Sequence, residues 1–161
     1  MSAWDVAATV VDPEIPVLTI EDLGVLRTVE EDGDRVRVEL TPTYSGCPAI
    51  EAMRDDVRSA LQGAGYTQVD VRMVLSPAWT TDWMTTDGKR KLREFGITPP
   101  NGNAPAAGGR PAERVVVRMA VKCPRCDSLD TRELARFGST SCKALYECRS
   151  CLEPFDFFKV L

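Results

Sequence analysis

Apolar and polar positions change rhythm several times along this chain, and each rhythm names an element. Ser2 to Val11 reads as a short helix, ended by the Asp12-Pro13 step because the residue before proline avoids helical dihedrals. Residues 25–29 read as extended. After the turn at Glu31-Asp32-Gly33-Asp34, Arg35-Val36-Arg37-Val38-Glu39-Leu40 alternates strictly, the period of a half-buried strand, and Asp32-Gly33 supplies the positive φ of a tight hairpin. Thr41 to Pro48 is a loop by composition. Ile50, Met53, Val57 and Leu61 then recur three and four apart, which predicts an amphipathic helix from Ala49 to Gln62, stopped by Gly63 and Gly65. Val69, Val71 and Met73 alternate with Asp70 and Arg72 as another strand, and residues 85–95 form a short basic helix before Gly96. The order helix, strand, strand, helix, strand, helix is that of a small α+β sandwich.

The pattern then breaks. From Thr98 to Ala112, seven of fifteen residues are Gly or Pro, and none carries a large apolar side chain. This predicts three segments: a domain over 1–97, a linker over 98–112 and a second module over 113–161. The second module opens with an alternating strand, Arg114 to Val121, followed by paired cysteines.

Composition narrows the chemistry. There is no histidine, so a Ser-His-Asp or Cys-His arrangement cannot be built, nor a His-ligated zinc or non-haem iron site. Any metal must be held by Cys, Asp, Glu or backbone oxygen. Residues 1–112 carry 11 basic against 17 acidic side chains and residues 113–161 carry 9 against 7, so neither part has the basic stripe of a nucleic-acid partner. No apolar run approaches a membrane span, and the N-terminal residues lack the basic and apolar regions of a secretion signal, so a cytoplasmic location is expected. Six cysteines in that setting point to metal before disulfides.

Cys123-Pro-Arg-Cys126 and Cys148-Arg-Ser-Cys151, with 21 residues between them, are the strongest local signal. Each CxxC turn aims two thiolates at one ion, and two such turns complete the tetrahedral set that zinc favours, although four thiolates alone do not separate zinc from iron. A module this small buries too little apolar surface to stand alone, whereas structural zinc contributes roughly 10–16 kcal/mol in finger peptides. Cys142 is either an alternative ligand in place of Cys148 or a buried spectator. The tail Phe155-Asp156-Phe157-Phe158 suits either an interface or the ribbon core.

Cys47 is the second signal. Pro48 fits the first helical position, which puts Cys47 at the N-cap, where unpaired N–H groups and the helix dipole favour a thiolate. Thr43 and Ser45 offer hydroxyls, and Gly46 leaves the backbone approachable. Asp12 and Glu14 either shape a turn or join Cys47 around a metal, and Asp22 either closes a loop or does the same. Trp79 and Trp83 read as core or partner-facing anchors.

Asp12-Pro13-Glu14-Ile15-Pro16-Val17 with Asp22-Leu23-Gly24, followed by Thr41-Pro42-Thr43-Tyr44-Ser45-Gly46-Cys47-Pro48, resembles the metal–sulfur cluster assembly domain family. Ser76-Pro77-Ala78-Trp79-Thr80-Thr81-Asp82-Trp83, Gly96-Ile97-Thr98-Pro99-Pro100, Phe137-Gly138-Ser139-Thr140 and Phe155-Asp156-Phe157-Phe158-Lys159 resemble its phenylacetate-degradation accessory branch, which adds a C-terminal zinc ribbon. The resemblance implies a non-catalytic role beside the multicomponent phenylacetyl-CoA oxygenase: maturation of one of its metal centres, with the iron–sulfur reductase subunit as partner and Cys47 as the motif thiol. Transient iron or an iron–sulfur cluster would pass through Cys47, and structural zinc would sit in the ribbon. Two other readings are a non-catalytic subunit bridging the oxygenase components and a thiol-dependent redox enzyme. A homo-oligomer is compatible with each.

Overall fold

The computed structural model describes residues 1–101 and 120–160. They form two compact units, residues 1–91 and 92–161, of mixed α+β architecture, each with one small sheet.

The first unit opens with helix α1 (Ala3–Ala8). Ser2 and Asp5 cap it reciprocally: the Ser2 hydroxyl accepts from the Asp5 N–H at 3.2 Å, and the Asp5 carboxylate accepts from the Ser2 N–H at 2.8 Å. The helix ends three residues before the expected Val11. The β-branched run Thr9-Val10-Val11 weakens it, and Val11 bridges to Thr19 instead while the Asp12 N–H bonds the Leu18 carbonyl. Strands β1 (Leu26–Asp32) and β2 (Arg35–Leu40) form the expected hairpin, closed at Gly33 with φ +62°. Alternation along β2 buries Val36, Val38 and Leu40 completely and leaves Arg35 and Arg37 exposed.

Helix α2 (Ala49–Gly63) buries Ile50, Met53, Val57 and Leu61, the stripe its spacing predicts. It crosses over to β3 (Gln68–Met73), which lies parallel to β2 and completes a sheet of order β1-β2-β3. Trp79 is buried and its indole N–H donates to the Leu23 carbonyl at 2.9 Å, which fixes the Asp22-Leu23-Gly24 loop. Trp83 is half-buried under the Arg27 guanidinium, 3.5 Å from the ring centroid. Gly24, at φ +70°, must be glycine, because an added Cβ would collide with the Trp83 carbonyl oxygen and lie 2.6 Å from the Trp83 Cβ.

Helix α3 (Thr86–Phe95) carries the chain from one unit into the next. In the second unit, β4 (Ile97–Thr98), β5 (Thr131–Ala135), β6 (Lys143–Cys148) and β7 (Pro154–Phe158) form a sheet of order β4-β7-β6-β5. The expected boundary between 97 and 98 therefore falls inside the second unit: Ile97–Thr98 pairs parallel with β7, and the Thr98 hydroxyl donates to the Lys122 carbonyl at 2.7 Å. Most of the expected linker and most of the strand over 114–121 lie outside the described residues. The aromatic tail is not a free surface, because Phe155 and Phe158 are buried and Tyr146 stacks near Phe155 and Phe157 at 5.9 and 5.6 Å. Alternation along β7 turns Phe155 onto the cluster formed by Val121, Cys123 and Cys148.

Candidate metal centre and thiol site

Two CxxC turns bring Cys123, Cys126, Cys148 and Cys151 together, with all four sulfurs within 4.8 Å of one another. Cys123 and Cys151 are 3.8 Å apart and Cys126 and Cys148 are 3.5 Å apart, close to the edge of about 3.8 Å that a zinc–sulfur bond of about 2.3 Å gives a tetrahedron. The turns are built alike. The Cys123 N–H bonds the Ser128 carbonyl and the Cys148 N–H bonds the Glu153 carbonyl, at 2.9 and 3.0 Å. The residue after each pair enters the left-handed region, Asp127 at φ +61° and Leu152 at φ +62°. Glycine usually signals such a position, so this symmetry was not readable from residue type.

The electrostatics of the four sulfurs fit a bound cation. Backbone N–H groups of Cys151 and Ser150, opposed by burial, bring the Cys148 thiol down to about 6. At Cys126 the Ser128 N–H pulls downward, but the neighbouring Cys148 sulfur, burial and the remaining sulfurs push it up to about 12. Sulfurs this close cannot all ionise unless a positive ion stands among them. Zinc or iron satisfies that donor set equally well; bound there, the ion crosslinks two turns and leaves no open position. Cys142 takes no part. It immediately precedes β6, six residues before Cys148 and roughly 20 Å away at the strand rise, buried and 3.0 Å from the Thr140 hydroxyl. The structure gathers Cys148, and not Cys142, with the other three sulfurs.

In the first unit, Cys47 lies one residue further from the helix than expected: Pro48 is the N-cap and Ala49 the first helical residue. Pro48 already has helical dihedrals, and no side chain caps the helix. The Ala49 N–H and the Thr43 hydroxyl both reach the half-buried Cys47 sulfur. The expectation of a favoured thiolate is reversed. Burial raises the Cys47 pKa, the Ala49 N–H works against it, and the nearby carboxylates of Glu14 and Asp12 raise it further. The structure thus gathers Cys47, Thr43, Asp12 and Glu14 in one neighbourhood. Asp12 also shapes its own turn, accepting from the N–H groups of Glu14 and Ile15 at 2.6 and 3.1 Å.

Asp22 belongs to a different network. Its carboxylate accepts from the Thr19 N–H at 3.0 Å, the Thr85 hydroxyl at 3.2 Å and the Lys91 ammonium at 2.7 Å. Burial pushes its pKa up, but the Lys91 ammonium and the Thr19 N–H outweigh that and hold it low. Lys91, the partner that sequence reasoning missed, sits 69 residues away, with no local signal to mark it.

Comparison with known proteins agrees with this division. Residues 4–75 match the iron–sulfur cluster assembly protein family, and residues 109–159 match the PaaD zinc β-ribbon domain. A protein of Escherichia coli (strain K12), provisionally named as one of the subunits of a 1,2-phenylacetyl-CoA epoxidase, is 49% identical across 98% of this chain and 91% of its own. An Fe-S protein maturation auxiliary factor of Porphyromonas gingivalis (strain ATCC BAA-308 / W83) is 35% identical over 52% of this chain and 81% of its own. The crystal structure of a domain of unknown function, DUF59, from Bacillus anthracis superimposes with a TM-score of 0.52 at 26% identity, covering 56% of this chain and 87% of that one. Among the described residues no helix is long and apolar enough to cross a membrane. With both modules matched in order and a relative aligned almost end to end, the chain belongs to the PaaD family, which joins an iron–sulfur cluster assembly domain to a zinc β-ribbon.

Proposed function

We propose that this chain is an accessory maturation factor for a multicomponent phenylacetyl-CoA oxygenase, acting in the cytoplasm and without catalytic turnover of its own. Iron or an iron–sulfur cluster is its cargo, received at Cys47 and passed to the oxygenase's iron–sulfur reductase component. Zinc in the ribbon is structural. The observation that carries this reading is the setting of Cys47, a single half-buried sulfur with the Thr43 hydroxyl and the Ala49 N–H upon it and the carboxylates of Asp12 and Glu14 nearby.

That setting suits a visiting cation. Two nearby carboxylates attract a positive ion, and that ion in turn offsets the cost of the proton that Cys47 gives up on binding it. One sulfur with oxygen neighbours holds iron more weakly than four thiolates do, so cargo can leave. The same raised pKa argues against a standing nucleophile, and a chain without histidine has no obvious base to activate one.

The test is to produce the oxygenase components beside the wild-type chain or a Cys47→Ser variant. We expect the variant to keep its fold and ribbon metal while the reductase component emerges with its cluster content reduced severalfold. Full cluster content in client made with Cys47→Ser would sink the reading. Co-purification at fixed stoichiometry with that full content would instead favour a bridging subunit.

A further inference from the structure

The first unit's sheet ends in a strand whose outer side is suited to a copy of itself. β3 is an edge strand, paired to β2 in parallel register from Arg35↔Gln68 to Leu40↔Met73. The Gln68 and Val74 N–H groups donate to the Asp34 and Leu40 carbonyls. By the period of a strand, residues of that parity face β2, so the N–H and C=O groups of Val69, Val71 and Met73 face away from it. Among the described residues nothing pairs with that side. Unpaired edges are usually blunted by bulges, proline or repelling charge. β1, the opposite edge, has a register shift between Leu26 and Thr28 and the acidic run Glu30-Glu31-Asp32. β3 has six residues in regular register and neither device. At its end Met73 is 41% exposed, and Leu75 just beyond is 57% exposed.

We propose that the outer edge of β3 pairs antiparallel with β3 of a second copy, about a two-fold axis at Val71. The sequence is self-complementary in that register. Val71 meets Val71 of the other copy, and Val69 meets its Met73, each pair exchanging two backbone hydrogen bonds. Asp70 then lies opposite the other copy's Arg72, and Arg72 opposite its Asp70. These fall in the non-hydrogen-bonded positions, where Cα atoms approach to about 4.5 Å and side-chain pairing is closest. Both side chains project on the open face: Arg72 Nε donates to the Asp70 carboxylate at 2.7 Å, and Arg37 Nε lies 3.7 Å from it. Pairing turns these contacts into one alternating cluster across the axis. On the other face, half-buried Val69 covers the exposed Met73 of the neighbouring copy. The pairing is independent of the role proposed for Cys47.

The test measures mass in solution for the full chain by sedimentation or light scattering, across about 1–200 µM. The wild type is expected to shift from monomer to dimer within that range. Asp70→Arg sets a new arginine against the other copy's Arg72, and Arg72→Asp sets a new aspartate against its Asp70. Symmetry doubles each repulsion, so each variant should raise the dissociation constant about tenfold or more. Mixing the two single variants pairs arginines only with aspartates and should restore the dimer, as should the Asp70→Arg/Arg72→Asp exchange within one chain. Circular dichroism and ribbon metal content confirm that each variant folds. A wild type that stays monomeric throughout would overturn the proposal, and so would single variants that dimerise as the wild type does. Loss of reductase binding by single variants of a monomeric chain would give the edge to the client instead.

Discussion

The two sulfur sites differ in what surrounds them, and the difference separates holding a metal from handing one on. In the second unit four thiols lie within 4.8 Å of one another on two matching turns, and Cys123 and Cys148 are fully buried. In the first unit a single half-buried thiol sits on a loop before a helix, beside carboxylates that stabilise a cation but bind it as hard ligands. The first arrangement is part of its unit's core; the second has a core built without it, from Val36, Val38, Leu40, Met53 and Leu61. Metal should therefore matter to folding in one unit and not in the other.

The largest expected effect follows directly. Cys148→Ser leaves three sulfurs and removes a side chain that is also core. The metal's contribution, on the order of 10 kcal/mol in finger-sized modules, exceeds the stability such a unit can have alone. We expect the variant, or the wild type treated with a strong chelator, to lose ribbon metal and the order around Tyr146 while the first unit still unfolds cooperatively. Metal analysis and near-ultraviolet circular dichroism read the two parts. A chelated chain with unchanged near-ultraviolet signal would show that the ribbon stands without its ion. The mutational loss at Cys47→Ser should by contrast be small in stability and visible only in the client.

The first unit should break through packing. Gly24→Ala drives a Cβ into the Trp83 carbonyl oxygen at φ +70°, where both sterics and backbone strain oppose it. A loss of about 3 kcal/mol is expected in denaturant unfolding of the first unit, with ribbon metal retained.

A smaller, pH-dependent effect is expected at Asp22. Its carboxyl is held below its ordinary value of 3.8 in the folded chain. The resulting stabilisation is fully present above that value and is lost as pH falls through the folded pKa. Lys91 is raised above its ordinary 10.5, so its share is present below that value and is lost as pH climbs through the folded pKa. Asp22→Asn should cost about 2 kcal/mol at neutral pH, and the gap to the wild type should narrow below about pH 4. Urea unfolding at several pH values checks it, and a gap constant down to about pH 2 would exclude the ion pair as its source.

What was legible in the sequence divides along the same line. The ribbon cysteines stood out because CxxC spacing is a local rule, and α2 and β2 because their apolar periods are local too. The start of α2 was misplaced by one residue because Pro48 serves as the cap itself, and the charge state of Cys47 was misjudged because the burial that chiefly raises its pKa is set by tertiary packing. Lys91 as the partner of Asp22, and Ile97–Thr98 as a strand of the ribbon sheet, depend on contacts tens of residues apart. Asp127 and Leu152 hide a left-handed turn behind residues that do not advertise one.

The smallest structural effect is also the sharpest probe of the comparison. An added Cβ at Gly46 would meet only the Tyr44 ring, at the ordinary contact distance of 3.7 Å, and the backbone there is not in the left-handed region. Gly46→Ala should therefore change stability by less than about 0.5 kcal/mol, since nothing in the fold requires glycine at that point. The residue precedes Cys47, so the same methyl group stands on the backbone that leads to the thiol. If cargo or client must come close to that backbone, client cluster content should fall although the chain is as stable as the wild type. Equal cluster content beside Gly46→Ala would mean that approach comes from another side, and the loop before α2 would keep only its role of presenting Cys47.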